Sequence, residues 1–239
     1  MSHHIYIVES PNAEEVKTGR QEGTTLKAAL AHAGISAEHE PVQDHVTFAI
    51  ALGKIVARHQ LLGKGGVPVL HLSMHGNETG VGFTEGPPMG WDLLGACLGI
   101  VNGALGGGVH VAMSTCRGFS GIEMAWRTSS VPFDRLIGPK EDVFWEDTVA
   151  AFVALYHFVA ARGGSVDEGV DVMNHVLNRV NNPLFAHADG RQKQAEFLGE
   201  VRRIENRLDT LNRIRQVIDT TNSPSIKERM HRLATAFEA

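Results

Sequence analysis

The sequence predicts an α/β protein: a three-layer α/β/α sandwich around a mostly parallel sheet, with a helical extension at the C-terminal end. Three observations carry this. Over the first two-thirds of the chain, short β-branched runs alternate with helix-patterned stretches of ten or more residues, which implies parallel strands joined by crossovers. Two of the runs, Val69–Met74 and Val109–Met113, are apolar almost throughout, as strands covered on both faces are. From Trp145 onward the pattern turns helical.

The elements follow in order. His4–Val8 is a β-branched strand. Gly23–Ala33 is a helix with Leu26, Ala29 and Leu30 at helical spacing and Thr24 or Thr25 as caps. Ile35–Val42 is a second strand. Asp44 caps a helix through His59, with Phe48, Leu52, Ile55 and Val56 on one face. Pro68 opens the strand Val69–Met74, Trp91–Leu105 is helical, and Gly108 opens the strand Val109–Ser114. A short helix over Phe119–Arg127 and a strand over Phe133–Ile137 complete this part. Glu146–Arg162 is a helix ended by Gly163-Gly164. Ser165 opens another to about Val180, and Pro183 with the loop to Gly190 forms a boundary.

The boundary divides 1–190 from 191–239. The second segment holds 10 Lys/Arg and 7 Asp/Glu, net +3, against net −8 for the first. Phe197, Val201, Ile204, Leu208, Leu211, Ile214 and Ile218 form a narrow apolar stripe on a long charged helix. Such a helix packs on its own domain or mediates an interaction with a partner.

Composition limits the function classes. With 239 residues, 43% hydrophobic and 21% charged, the chain can bury a core. A net charge of −5 gives no basic surface for direct nucleic-acid binding. Two cysteines, Cys97 and Cys116, exclude a disulfide scaffold and a four-cysteine zinc site. The longest uncharged stretch, Leu93–Cys116, is broken by glycines and reads as helix, turn and strand rather than a membrane span. No signal peptide is visible, so a cytoplasmic location is expected. Gly106–Gly108 precedes a strand with no Lys-Ser/Thr after it, which is not a phosphate cradle.

Two strand-like runs end in reactive side chains. One leads into His75-Gly76, the other into Cys116-Arg117-Gly118. In a parallel sheet both ends lie on the carboxyl edge, where α/β folds place their sites. A thiolate paired with an imidazole is a nucleophile with its base. Gly76 lacks a Cβ, so its N–H can approach a substrate oxygen, and with the N–H of Cys116 it forms a candidate oxyanion hole.

These residues resemble the caspase-like, clan CD cysteine peptidases. The resemblance lies in HLSMHG and in STCRG, which puts Cys116 41 positions after His75. More narrowly, Ser73–Thr84, Trp91–Leu94, Ile137–Pro139 and Trp145–His157 are similar to the bacterial CHAT-type branch. The resemblance covers about residues 5–180. It implies His75 as general base and acid, Cys116 as nucleophile and Gly76 as oxyanion donor, acting as a dyad without a cofactor. It also implies a protein or peptide substrate, a regulatory protein partner and a setting in bacterial defence or cell death. Arg20-Gln21-Glu22-Gly23-Thr24 stands where caspases place an Arg-x-Gly-Thr segment that helps recognise substrate. Ser114 stands where caspases have Gln and metacaspases often Asp, so neither group's preference for the residue before the scissile bond (P1) transfers. Arg20, Glu78 and Ser114 are the candidate substrate contacts.

Competing readings differ in chemistry. Glu78, Glu85 and Asp92 are solvated loop residues or an acidic cleft lining. Cys97 is a packing residue in an apolar helix. His71 and His75 would suit a metal on a helix, but on a strand they stand about 13 Å apart. The alternative to catalysis is an inactive caspase-like module that binds a partner.

Overall fold

The computed structural model describes residues 2–63 and 66–238. Two compact units divide the chain, Met1–Lys193 and Gln194–Ala239.

The first unit is built on strands β1 (Ser2–Ser10), β2 (Ala37–Pro41), β3 (Gly66–Asn77), β6 (His110–Ser114), β7 (Arg135–Pro139) and β8 (Phe185–Asp189). Their order is β2-β1-β3-β6-β7-β8, parallel except where β8 runs antiparallel to β7. Short strands β4 (Gly80–Gly82) and β5 (Met89–Gly90) fold back on the end of β3.

Strand side chains alternate between faces, and the two faces have separate cores. Tyr6, Val8, Leu70, Leu72, Val111 and Met113 pack on helices α3 (His45–Leu61), α4 (Trp91–Ala104) and α5 (Met124–Arg127). Ile5, Ile7, Val69 and Ala112 pack on α2 (Glu22–His32), α6 (Trp145–Tyr156) and α7 (Val166–Val176). A mostly parallel sheet covered by helices on both faces is thus present, as the strand–helix alternation predicts. Among the described residues no helix is long and apolar enough to cross a membrane.

Local chemistry explains the ends. Asp44 caps α3 with a reciprocal box to Thr47, and Ser165 does the same for α7 with Glu168. Helix α2 begins after Gln21, which makes no side-chain cap bond, so Thr24 and Thr25 lie inside the helix rather than capping it. The Phe119–Arg127 helix is a 3₁₀ turn, Gly118–Glu123, followed by the four residues of α5.

Four elements escape the sequence reading. Helix α1 (Ala13–Thr18) is short, and its cap is Asn12. The β4–β5 hairpins have little periodicity to show. The stretch after Pro183, read as a boundary loop, is edge strand β8, pinned by Asn174, whose Oδ1 accepts the Phe185 N–H at 2.9 Å.

Helix α8 (Gly190–Thr220) begins in the first unit, and within the second it packs with α9 (Pro224–Glu238) through Leu211, Ile214 and Ala234, with Ile218 and Met230 beside them. Pro224 opens α9, the position where proline suits a helix. The stripe residues Phe197, Ile204 and Leu208 are exposed.

Burial lowers the pKa of three imidazoles. His110 is pushed down to about 4 from 6.5, against an upward pull from Asp134, and His3 and His59 are also lowered. Each takes up its proton more readily in the unfolded chain, so acid favours unfolding. We expect stability to fall as pH drops from about 6.5 towards about 4, and His110→Gln to flatten that slope. Denaturant midpoints measured between pH 7.5 and pH 4.5 check this; equal midpoints across the range would contradict it.

Candidate active site

The carboxyl edge of the sheet holds a cleft of about 100 Å³. It spans the ends of β1, β3 and β6, across the point between β1 and β3 where connections leave in opposite directions, the switch point at which α/β sheets leave a crevice. Ser10, His75, Ser114 and Cys116 all line it.

Register brings the two reactive residues there. Strands β3 and β6 pair in parallel up to Ser73↔Ser114, an offset of 41 residues. The same offset separates His75 from Cys116, and each lies two positions past a paired serine. With a side-chain period of two, His75 and Cys116 continue the α2/α6 face that Ser73 and Ser114 already occupy.

The cysteine is half-buried, and its thiol donates to the Val143 carbonyl, Sγ to O 3.8 Å. The next residue, Arg117, adopts a left-handed φ of 55°, unusual without glycine. Its N–H bonds the Glu141 carbonyl at 3.0 Å, and its guanidinium pairs with Asp142 and Glu78. Glu78 thus ties the hairpin after His75 to the loop after Cys116 and does not line the cleft. Glu85 and Asp92 are not in the lining either.

His75 faces α1. Its Nε2 is 3.1 Å from Glu15 Oε1 and 3.0 Å from Asn12 Nδ2. Asn12 and Glu15 are the two halves of the capping box of α1. Asn12 Oδ1 accepts the N–H groups of Glu14 and Glu15, so its NH₂ group is what meets the imidazole. One ring nitrogen cannot donate to Glu15 and accept from Asn12 together. With its proton on Nε2 the ring donates to Glu15, which leaves the lone pair on Nδ1 and the Asn12 NH₂ group without an acceptor there; with its proton on Nδ1, Nε2 accepts from Asn12 instead.

Gly76 lets the two strand ends touch. A Cβ there would lie 2.1 Å from Thr115 Oγ1 and 3.3 Å from the Cys116 carbonyl oxygen. Asn77↔Gly80 closes a two-residue hairpin, so it is a hydrogen-bonded pair and the adjacent Gly76↔Val81 pair is not. The Gly76 N–H therefore points away from β4.

The floor is acidic. Glu22, on α2, is buried; Ser73 donates to its Oε2 at 2.8 Å and Ser114 to its Oε1 at 2.6 Å. His71 Nε2 lies 3.4 Å from Oε1, and its Nδ1 meets the Tyr156 hydroxyl at 2.8 Å. Burial first, then Glu22, raises the Tyr156 pKa well above the usual phenol range, so the hydroxyl keeps its proton. Glu9 is buried beside it, accepting the Gly23 N–H at 2.8 Å, with His39 Nε2 also 2.8 Å away. Arg20 lines the cleft with an exposed side chain.

Sequence reasoning named His75, Cys116, Gly76, Ser114 and Arg20, and the structure gathers these at one edge. It missed Asn12, Glu15, Glu22 and Glu9. The Asn-x-x-Glu pattern at 12–15 is a capping-box signature that would have located α1. Nothing local marks Glu22, whose serine partners are 51 and 92 residues away. Cys97 is half-buried against the α3/α4 core, and burial pushes its thiol pKa up. Among the described residues no three His, Cys, Asp or Glu side chains gather as a metal site would need.

Comparison with protein families and with curated proteins finds no match to this chain.

The Gly76 contact is open to test. Gly76→Ala should destabilise the fold by about 1–3 kcal/mol through overpacking. Adding Thr115→Ala removes the clashing oxygen and should restore part of that loss. A double-mutant cycle in denaturant checks the coupling; strictly additive effects would show that the two residues do not press on each other.

Proposed function

We propose that the chain is a cysteine peptidase of caspase-like type, with Cys116 as nucleophile and His75 as its base and acid. One observation carries the reading. His75 and Cys116 each lie two residues beyond the last β3–β6 pair, Ser73↔Ser114, and line one cleft.

The chemistry follows from the groups present. The Nδ1 lone pair of His75 takes the thiol proton as Sγ attacks the scissile carbonyl. Backbone N–H groups of Gly76 and Cys116 hold the oxyanion. The imidazolium then protonates the leaving amine, and neutral His75 activates water to open the thioester. Glu15 faces the imidazolium and fixes the tautomer, so it is a positioning residue. None of these steps calls on a cofactor.

A binding-module reading draws on one contact: the Cys116 thiol bonds Val143, and no hydrogen bond joins it to His75. Mapping new protein N-termini in cells separates the two. The wild-type chain should generate cleavages that Cys116→Ala and His75→Ala both abolish. Identical sets of ends from all three would leave the module reading standing.

Glu15→Gln isolates the positioning role, because glutamine still satisfies a capping box. We expect unchanged thermal stability, little change in KM, and a kcat about tenfold or more lower, a fraction of what general acid–base catalysis supplies. Peptide hydrolysis with melting curves on the same samples checks this. An unaltered kcat would remove Glu15 from the mechanism.

A further inference from the structure

Resting on the peptidase reading, we propose that the cleft selects a cationic P1 side chain, lysine or arginine, on the residue whose carbonyl Cys116 attacks.

Ser114 and Cys116 line the same cleft, so a side chain that enters beside Cys116 meets this floor. The floor there presents acceptors. Ser73 and Ser114 both donate their hydroxyl hydrogens to Glu22, which leaves oxygen lone pairs for anything that enters. Glu22 and Glu9 add two carboxylates whose side chains are 7% and 3% exposed. Glu15 adds a third to the lining.

Three kinds of side chain can be compared on this floor. An apolar one would strip water from the acceptors and give nothing back, which is costly. A carboxylate would bring a fourth like charge to the lining. An ammonium or guanidinium donates to the lone pairs and balances the charge, the stronger class of hydrogen bond. Arg20 opposes this as a positive group in the lining, but its side chain is exposed, whereas Glu9 and Glu22 lie buried. The imidazoles of His39 and His71 stand beside the two buried carboxylates.

The test uses the full chain and peptidyl acyloxymethyl ketones that differ only at P1: Arg, Asp or Leu. Labelling is followed by intact mass, with Cys116→Ala as control. The P1-Arg probe should label at least about tenfold faster than the other two. Faster labelling of Cys116 by the Asp or Leu probe would overturn the cationic selection and leave the peptidase reading intact. No labelling by any probe would overturn the peptidase reading and this proposal with it.

Two variants assign the charge. Glu22→Gln should lower the Arg-to-Asp rate ratio by about tenfold, a ratio that does not depend on how much of the sample is folded. An unchanged ratio would overturn the role of Glu22. Arg20→Gln, at an exposed position, should raise the P1-Arg rate by removing an opposing charge. A fall would make Arg20 part of the recognition and overturn the proposal.

Discussion

The carboxylate of Glu22 is the interaction on which the carboxyl edge depends. It sits under α2 and takes hydroxyl hydrogens from Ser73 on β3 and Ser114 on β6, the last paired residues of two neighbouring strands. His71 stands beside the carboxylate, its Nε2 3.4 Å from Oε1, and bonds the Tyr156 hydroxyl on α6 through Nδ1. One buried carboxyl group on α2 thus ties together the two strands that lead to His75 and Cys116. Charge-assisted bonds in a poorly solvated place are strong, and removing one partner leaves a charge that burial penalises. The site is therefore anchored from beneath, with both reactive residues placed two positions beyond anchored serines.

Above that anchor, each reactive residue is held by a separate device. His75 is met by the capping box of α1, so the groups that start a six-residue helix also orient an imidazole. Cys116 is followed by a left-handed Arg117, which the carbonyl of Glu141 and the carboxylates of Asp142 and Glu78 hold in place. Glu78 belongs to the hairpin that follows His75, so this ion pair also spans the two halves of the site. Gly76 fits between them because a side chain would strike Thr115. The imidazole is thus fixed from one side of the cleft and the thiol loop from the other.

What could be read from the sequence follows the range of the forces involved. The strands β1, β3 and β6 and helices α3, α4 and α6 announce themselves by periodicity, because a residue's burial repeats with its element. His75 and Cys116 were legible for the same reason: each ends an apolar run, and a parallel sheet collects such ends. Strand β8 was not legible. It is a short edge strand after Pro183, and its pairing with β7 and bond to Asn174 are tertiary. The C-terminal stripe is legible only as a pattern. Leu211 and Ile214 bury against Ala234 of α9, while Ile204 and Leu208 on the same stripe stay exposed.

The acidic floor shows the limit most sharply. Glu22 occupies a segment singled out for Arg20 and the glycine after it, yet the carboxylate is the member that meets the sheet. From sequence, a glutamate in the first turn of a helix reads as a solvated residue favoured by the helix dipole. Its burial depends on small hydroxyl residues at Ser73 and Ser114, one on each strand, being in register to receive it. The Ser114 hydroxyl donates to the carboxylate supplied by α2. The acidic groups of the floor therefore come from α2 and from β1 rather than from the strand that leads to Cys116. Only the three-dimensional pairing of 22, 73 and 114 reveals it.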